Sequence, residues 1–256
     1  MWPLMENNIS EEDRSSMADF ILSTDKLTNG KKVIEFEKKW SDWLGIDFSC
    51  FVNSGSSANY LAAACMRETK GLGEVIVPAL GWSSDISSLT NLGFTPVFVD
   101  IDITTMGLCA ASVRAAITER TVGVVVVHAL GFNALTPELL DVIQQTELFL
   151  IEDCCEAHGA CIDNTRKVGT VGDVSLFSFY YGHHITTVEG GIVSTNNQTL
   201  IDVLKMYRSH GLTREASPAI QRQYAAEYPD LYPEFTFAVP GFNFRSTEIN
   251  AHLGLI

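Results

Sequence analysis

Short apolar strand patterns alternate with helical patterns along this chain, and that alternation limits the folds available to it. Four runs rich in β-branched residues have the length of strands: EVIVPA (74–79), TPVFVDI (95–101), TVGVVVVHAL (121–130) and LFLIED (148–153). Each run is almost continuously apolar and ends in turn or polar residues, which is typical of parallel strands covered on both faces. The four runs are therefore predicted to be buried strands.

Helical patterns lie beside these strands and complete the alternation. They cover 57–69, 83–93, 109–120 and 136–146. The last two have apolar residues spaced by about 3.6 positions, and Pro137 occupies a first-turn position. The pattern predicts an α/β fold with a mostly parallel sheet. Such sheets bind ligands at the carboxyl ends of their strands, so functional residues are expected directly after each strand.

Composition and charge narrow the class of protein. The 256 residues suffice for one large domain, or for one domain and part of a second. Hydrophobic residues make up 46% and charged residues 19%, as is ordinary for a soluble globular enzyme. The net charge of −14 argues against nucleic acid or an anionic membrane as a partner. No apolar run approaches the roughly 20 residues of a membrane span.

The N-terminus and the cysteines predict a cytoplasmic location. The first residues, MWPLMENNISEEDRSS, lack the basic start and the apolar stretch of a signal peptide. The 6 cysteines form neither a C-x-x-C pair nor a dense disulfide framework. We interpret them as reduced thiols, and no metal site is predicted.

Polar residues follow the predicted strands, as the fold class requires. In FVNSGSSANYL (51–61), Gly55 and Ser56 lie at a helix N-terminus, where free N–H groups favour a phosphate; an ordinary serine-capped helix is the alternative. Trp82 lies in the loop PALGWSSD (78–85), either as a ligand-stacking residue or as a packed surface residue. Asp153, in LIEDCCEAHGA (150–160), could pair with a protonated ring nitrogen or cap a helix.

Taken in order, these motifs resemble one family. Together with FSFYYGHHITTVEGG (177–191) and GFNFRSTEINAHLGL (241–255), they are similar to the DegT/DnrJ/EryC1/StrS sugar aminotransferases, which are fold-type I enzymes that use pyridoxal phosphate. The resemblance begins near 27–45 and continues to the last residue. It implies a large domain with a mostly parallel mixed sheet flanked by helices.

The resemblance also implies a domain organisation. Residues 1–30 are expected to be an N-terminal helical segment, and 31–256 the large cofactor-binding domain. The chain stops within STEINAHLGLI, inside an expected helix, so the small C-terminal domain of the family is expected to be missing.

Four residues match positions at which the family binds the cofactor phosphate. Gly55 and Ser56 match its phosphate-binding loop, and Ser178 matches a hydroxyl that binds the same group. Asn243 matches an asparagine that reaches the phosphate from the neighbouring subunit, so the resemblance implies a homodimer with a shared active site. Donors of this kind suit a dianion.

Other residues match positions around the cofactor ring. Trp82 matches the aromatic residue that stacks on the ring, and Asp153 matches the carboxylate that pairs with the ring nitrogen. Glu156 matches a position near the phenolic oxygen of the ring, where most family members have glutamine. His183 stands where an aminotransferase of the family has the lysine that forms a Schiff base with the cofactor. Imidazole forms no stable Schiff base, but it is a good base near neutral pH.

A histidine in place of the lysine resembles the 3-dehydratase branch of the family. That branch uses pyridoxamine phosphate to remove the C3 hydroxyl of a nucleotide-linked 4-keto-6-deoxysugar, with the histidine taking a proton from the C4′ carbon of the cofactor. The alternative for His183 is a packing residue in a decayed aminotransferase, and His184 is interpreted as supporting.

The cysteine positions distinguish two types within this branch. One type carries an iron–sulfur cluster, which needs four thiolates, but no cysteine follows Cys161 in this chain. The chain therefore resembles the cluster-free type, for which glutamate is the amino donor that regenerates the cofactor. Two other functions stay open: transfer of nitrogen to C4 of the sugar, and cofactor binding without catalysis. The sequence leaves the base of the nucleotide open.

Overall fold

The computed structural model describes residue 3 and residues 5–256. These residues form one mixed sheet with helices packed on it. In the described residues the sheet has 7 strands: β1 (Phe48–Val52), β2 (Glu74–Pro78), β3 (Thr95–Val99), β4 (Thr121–Val127), β5 (Phe149–Asp153), β6 (Val174–Ser178) and β7 (Gly191–Thr195). Their order is β1-β7-β6-β5-β4-β2-β3, and β7 runs antiparallel to both of its neighbours. The remaining pairs are parallel. Every strand except β7 therefore ends at the same edge of the sheet.

Helices cover both faces of this sheet. They are α1 (Glu11–Ser23), α2 (Lys31–Leu44), α3 (Gly55–Lys70), α4 (Ser83–Leu92), α5 (Ala110–Ala116), α6 (Pro137–Thr146), α7 (Gln198–Arg208), α8 (Pro218–Glu227) and α9 (Glu248–Leu255). One core lies between the sheet and α3, α4 and α7, and two cores on the other face involve α2 and α9, and α5 and α6. Successive valines of β4 alternate between the faces, because Val125 joins the first core while Val124 and Val126 join another.

The predicted α/β fold is confirmed, and the four predicted strands are β2, β3, β4 and β5. The prediction that all four are covered on both faces is wrong for β3. This strand lies at the edge of the sheet with β2 as its one neighbour, and Phe98 is 59% exposed. The helix predicted over 109–120 is also shorter, because the chain becomes extended at Ile117 after α5.

The N-terminal segment contains the expected helix. Ser10 caps α1 by accepting a hydrogen bond from the Asp13 N–H, while the Asp13 side chain accepts one from the Ser10 N–H. The helix packs on α9, where the rings of Phe20 and His252 stack with centroids 4.4 Å apart. Residues 1, 2 and 4 of the predicted segment 1–30 lie outside the described residues. The domain boundary at residue 30 stays a prediction.

No helix in the described part of the chain has both the length and the apolar character needed to cross a membrane.

A buried ion pair joins α7, α2 and β1. Nη1 of Arg208 donates to Oε1 of Glu37 over 2.6 Å and to the Phe51 carbonyl over 3.3 Å. The same Glu37 oxygen accepts from the Phe51 N–H at 2.8 Å. Both charged side chains are buried, so each needs the other as its compensating charge.

We expect Arg208→Met to lower the free energy of unfolding by about 3–5 kcal/mol, because it leaves the Glu37 carboxylate buried without a cation. Urea unfolding followed by circular dichroism measures the loss. The double variant Glu37→Leu/Arg208→Met is the matched control and should recover most of the stability. A loss below about 1 kcal/mol in the single variant would contradict the assignment of a buried ion pair.

Candidate active site

The carboxyl edge of the sheet brings most of the candidate residues together. Gly55 begins α3 shortly after β1, Asp153 ends β5 and Ser178 ends β6. Trp82 follows β2 and is the N-cap residue of α4. Because β1, β2, β5 and β6 all end at this edge, the site is formed by loops and helix starts on a rigid sheet.

The first turn of α3 forms a cradle for an anion. Ser54 caps the helix by accepting from the Ser57 N–H over 3.1 Å, which leaves the first-turn N–H groups of Gly55 and Ser56 without partners inside the helix. A Cβ atom on Gly55 would lie 2.7 Å from Cβ of Ser178, so only glycine lets the Ser178 hydroxyl approach this turn. Amide and hydroxyl donors at the positive end of a helix dipole fit a phosphate group.

Asp153 offers a buried negative charge near this cradle. It is 4% exposed, and its Oδ1 accepts from the Cys155 N–H over 2.9 Å. A second carboxyl group, that of Asp85, lies beside it and is also buried. Among the described residues neither carboxyl group forms an ion pair. A cationic N–H, such as that of a protonated pyridine ring, would compensate this charge.

His183 faces the carboxylates of this site. Its backbone N–H donates to the Tyr180 carbonyl over 3.0 Å, and the side chain is half-buried. Burial lowers the pKa of His183 below its ordinary value of 6.5, although the carboxylates of Glu156 and Asp153 act in the opposite direction. The imidazole is therefore mainly neutral at pH 7 and can accept a proton.

Glu156 is held in place by a strained turn. Its Oε2 accepts from the Leu130 N–H over 2.8 Å. Leu130 has a φ of +54°, in the left-handed region that few residues other than glycine adopt. The turn around residue 130 thus presents its N–H to Glu156, and Glu156 lies close enough to His183 to raise the pKa of that imidazole.

Trp82 and Asn243 are exposed in this chain. Trp82 is 72% exposed, so its ring is free to cover a ligand. Asn243 accepts from the Arg245 N–H over 3.2 Å, and no hydrogen bond in the described residues joins it to Gly55 or Ser178. The roles expected for both residues stay predictions.

Sequence reasoning missed two residues of this site, the buried Asp85 and the half-buried His158. His158 lies beside His183 and His184, with its ring centroid 6.1 Å from that of His183 and 5.5 Å from that of His184. Burial and these two neighbours lower the pKa of His158 to about 3. The available signals were local: His158 lies within the motif that follows β5, and Asp85 lies three residues after Trp82.

A cluster with the composition of a metal site lies next to Asp153, but its atoms bond to one another. Nε2 of His128 lies 3.1 Å from Oε2 of Glu152, and the Ala134 N–H donates to Nδ1 of the same ring. Nδ1 therefore accepts a hydrogen bond, and the protonated Nε2 donates one to Glu152. Glu152 also accepts from three backbone amides of 169–172. These hydrogen bonds hold Glu152, and with it the end of β5, against His128 and residues 169–172, and the buried Cys154 lies in the same cluster.

Comparison with known proteins identifies the class. A solved structure of GDP-4-keto-6-deoxymannose-3-dehydratase with a trapped PLP-glutamate geminal diamine superposes with a TM-score of 0.87 at 29% identity, covering 100% of this chain and 67% of that one. The fold is thus that of the large domain of pyridoxal-phosphate-dependent aminotransferases. The chain belongs to the DegT/DnrJ/EryC1/StrS aminotransferase family, whose model matches residues 8–256.

Two sequence relatives have different activities. GDP-4-keto-6-deoxy-D-mannose 3-dehydratase of Yersinia pseudotuberculosis is 33% identical over 264 residues, which cover 99% of this chain and 65% of the relative. GDP-perosamine synthase of Caulobacter vibrioides is 35% identical over 226 residues, covering 88% of this chain and 56% of that protein. The chain spans less than two thirds of the length of either relative.

We expect Glu156→Gln to lower the pKa of His183 further, because the variant removes a negative charge that favours the imidazolium form. NMR titration of labelled histidines measures this pKa, with His183→Gln to assign the signal. Glu119→Gln, which changes an exposed carboxylate before β4 at the opposite edge of the sheet, is the control and should leave the pKa unchanged. A His183 pKa above its ordinary value, or one that Glu156→Gln does not move, would reject the geometry.

Proposed function

We propose that this chain contains the catalytic site of a 3-dehydratase that acts on a nucleotide-linked 4-keto-6-deoxysugar with pyridoxamine phosphate. The observation that carries the proposal is the half-buried imidazole of His183 facing Asp153 and Glu156. A site built to tether the cofactor needs an amine at the position that His183 occupies. A site built for proton transfer needs a base that is neutral at working pH.

The residues of the site fit pyridoxal phosphate and its amine form, pyridoxamine phosphate. Gly55, Ser56 and Ser178 would bind the phosphate through N–H and O–H donors, and Asp153 would pair with the protonated ring nitrogen. Trp82 would cover the ring, and Glu156 would be the side chain near its phenolic oxygen. When bound, the cofactor supplies an amine for the C4 ketone of the sugar and an electron sink for its C3–O bond.

His183 moves the proton on which the reaction depends. As a neutral imidazole it would accept a proton from the C4′ carbon of the cofactor, and the imidazolium would then give this proton to the C3 hydroxyl of the sugar, which leaves as water. Asp153 keeps its negative charge at the ring nitrogen throughout, which holds the ring in its electron-accepting form. Since His183 is not an amine, no side chain at this position competes with the sugar for the cofactor.

The partners follow from the same reasoning. Glutamate is the proposed amino donor that restores pyridoxamine phosphate, as the trapped glutamate in the structural relative suggests. Asn243 contributes to the phosphate site of a second subunit, so the active enzyme is proposed to be a homodimer. A GDP-linked sugar is the first substrate to test, since the Yersinia dehydratase and the Caulobacter synthase are both named for GDP-linked compounds.

Transfer of nitrogen to C4 of the sugar is the second candidate. The relative that favours it is the GDP-perosamine synthase, which is as similar to this chain as the dehydratase is. The two reactions begin with the same cofactor and sugar, but they leave different products. Dehydration removes the oxygen at C3, whereas transamination adds an amine at C4.

Mass spectrometry of the product decides between these functions. With pyridoxamine phosphate, glutamate and GDP-4-keto-6-deoxymannose, we expect loss of the C3 oxygen and no C4 amine in the final sugar. His183→Asn should reduce the rate of deoxygenation by about 10²–10⁴-fold, because it removes a general base. His184→Asn is the matched control and should deoxygenate at a rate close to that of the wild type. An aminated product that retains its C3 oxygen would overturn the proposal in favour of transamination.

A further inference from the structure

Two buried carboxyl groups lie against each other at the proposed cofactor site. Asp153 ends β5, and Asp85 belongs to the first turn of α4; they are 4% and 3% exposed. Their side chains are within hydrogen-bonding reach of each other. A carboxyl group in contact with another can donate a hydrogen bond only when it is protonated.

The hydrogen bonds around Asp85 and Asp153 leave one carboxyl oxygen at which a proton would gain a partner. Oδ2 of Asp85 accepts from the Trp82 N–H at 3.3 Å. Oδ1 of Asp85 is buried and has no hydrogen-bond partner among the residues that the structure describes. Oδ1 of Asp153 accepts from the Cys155 N–H. A proton on Asp85 would give the unpartnered oxygen the hydrogen bond that it lacks.

The other groups that face Asp85 supply no compensating charge. The Asn59 side chain on α3 donates to Ser84 over 3.1 Å and is neutral; its dipole lowers the pKa of Asp85 by less than burial and Asp153 raise it. Burial raises the pKa of the Cys155 thiol well above its ordinary value, so this group is neutral too. Two adjacent carboxylates in such surroundings do not both ionise. Burial, followed by the charge of Asp153, raises the pKa of Asp85, so the proton belongs on Asp85.

We propose that Asp85 is a positioning residue that acts as a neutral carboxylic acid, donating a hydrogen bond to Asp153 and keeping Asp153 as the ionised carboxylate at the cofactor ring nitrogen. This inference rests on the proposed placement of that nitrogen at Asp153. The bond would orient the Asp153 carboxylate. It also explains why a second acidic residue is buried here, since as an acid Asp85 adds a donor and no second negative charge.

Two variants of Asp85 test whether its side chain acts as a hydrogen-bond donor or as a negative charge. Asn keeps a side-chain N–H donor toward Asp153 and has no charge to lose, so Asp85→Asn should bind pyridoxamine phosphate within about threefold of wild type. Asp85→Ala removes the donor and should weaken binding at least about tenfold, the lower end for a hydrogen bond to a charged group. Isothermal titration calorimetry gives the dissociation constants. Ser87→Ala changes an exposed residue of the same helix and should bind as wild type does.

Infrared spectroscopy of the cofactor-free protein tests the protonation directly. With isotope-labelled aspartate, the wild type at pH 7 should show the carbonyl stretch of a protonated carboxylic acid. The band should be lost in Asp85→Asn and kept in Ser87→Ala. This measurement needs no ligand, and with Asp85→Asn it decides the proposal even if Asp85→Ala does not fold.

Each contrary result has a defined meaning. If Asp85→Asn weakens binding as much as Asp85→Ala, Asp85 acts as an anion and the proposal is wrong. If Asp85→Ala binds normally, Asp85 only caps α4 and the proposal is again wrong. The absence of an acid band assignable to Asp85 overturns it as well. In contrast, normal binding by Asp153→Ala together with an intact Asp85 band would reject the ring-nitrogen placement, not the neutral acid.

Discussion

The buried negative charge of Asp153 is the constraint on which the rest of the site depends. A carboxylate that is 4% exposed and has no ion pair among the described residues needs a cationic ligand or a set of donors. The Cys155 N–H supplies one donor, and a neutral Asp85 supplies another under the proposal above. Neither provides a positive charge. The proposed ring N–H⁺ would supply it, which connects the packing of β5 to the chemistry of the cofactor.

The same charge influences His183. Burial makes the imidazole a weaker base, while the carboxylates of Asp153 and Glu156 partly restore its basicity. The opposing effects favour a histidine that is neutral before the reaction and can hold a proton after it. The half-buried His158 beside it has a pKa lowered to about 3 and remains neutral, so His183 is the better base of the two.

Much of the fold could be predicted from the sequence because local patterns determine it. The runs that form β2, β4 and β5 are mostly apolar, and the position of Asp153 at the carboxyl edge follows from parallel strands. Strands β1 and β6, which place Gly55 and Ser178 at the same edge, were not among the predicted strands. The exposure of β3 could not be predicted, because a run of residues carries no information about its neighbours in the sheet. The antiparallel strand β7 was not predicted either. Its position beside the start of α3 requires Gly191, because a Cβ atom there would lie 2.2 Å from the Ser54 carbonyl oxygen, and this contact is not visible in the local sequence.

The site was less predictable than the fold. Asp85 has the sequence position of an ordinary capping residue of α4 and fulfils that role, so its contact with Asp153 becomes visible only when α4 is placed beside β5. The surroundings of His158 likewise depend on the loop that carries His183 and His184. The part assigned to Asn243 depends on a second subunit, about which the local sequence holds no geometric information.

Exchange of the C4′ hydrogen of pyridoxamine phosphate with solvent deuterium tests most directly whether His183 is the base. Mass spectrometry of cofactor recovered from the protein in D₂O, with the sugar substrate present, gives the exchange rate. The account predicts rapid exchange in the wild type and in His184→Asn, and a rate about 10²–10⁴-fold lower in His183→Asn, which should still bind the cofactor. Exchange at the wild-type rate in His183→Asn would contradict it and move the base to another residue.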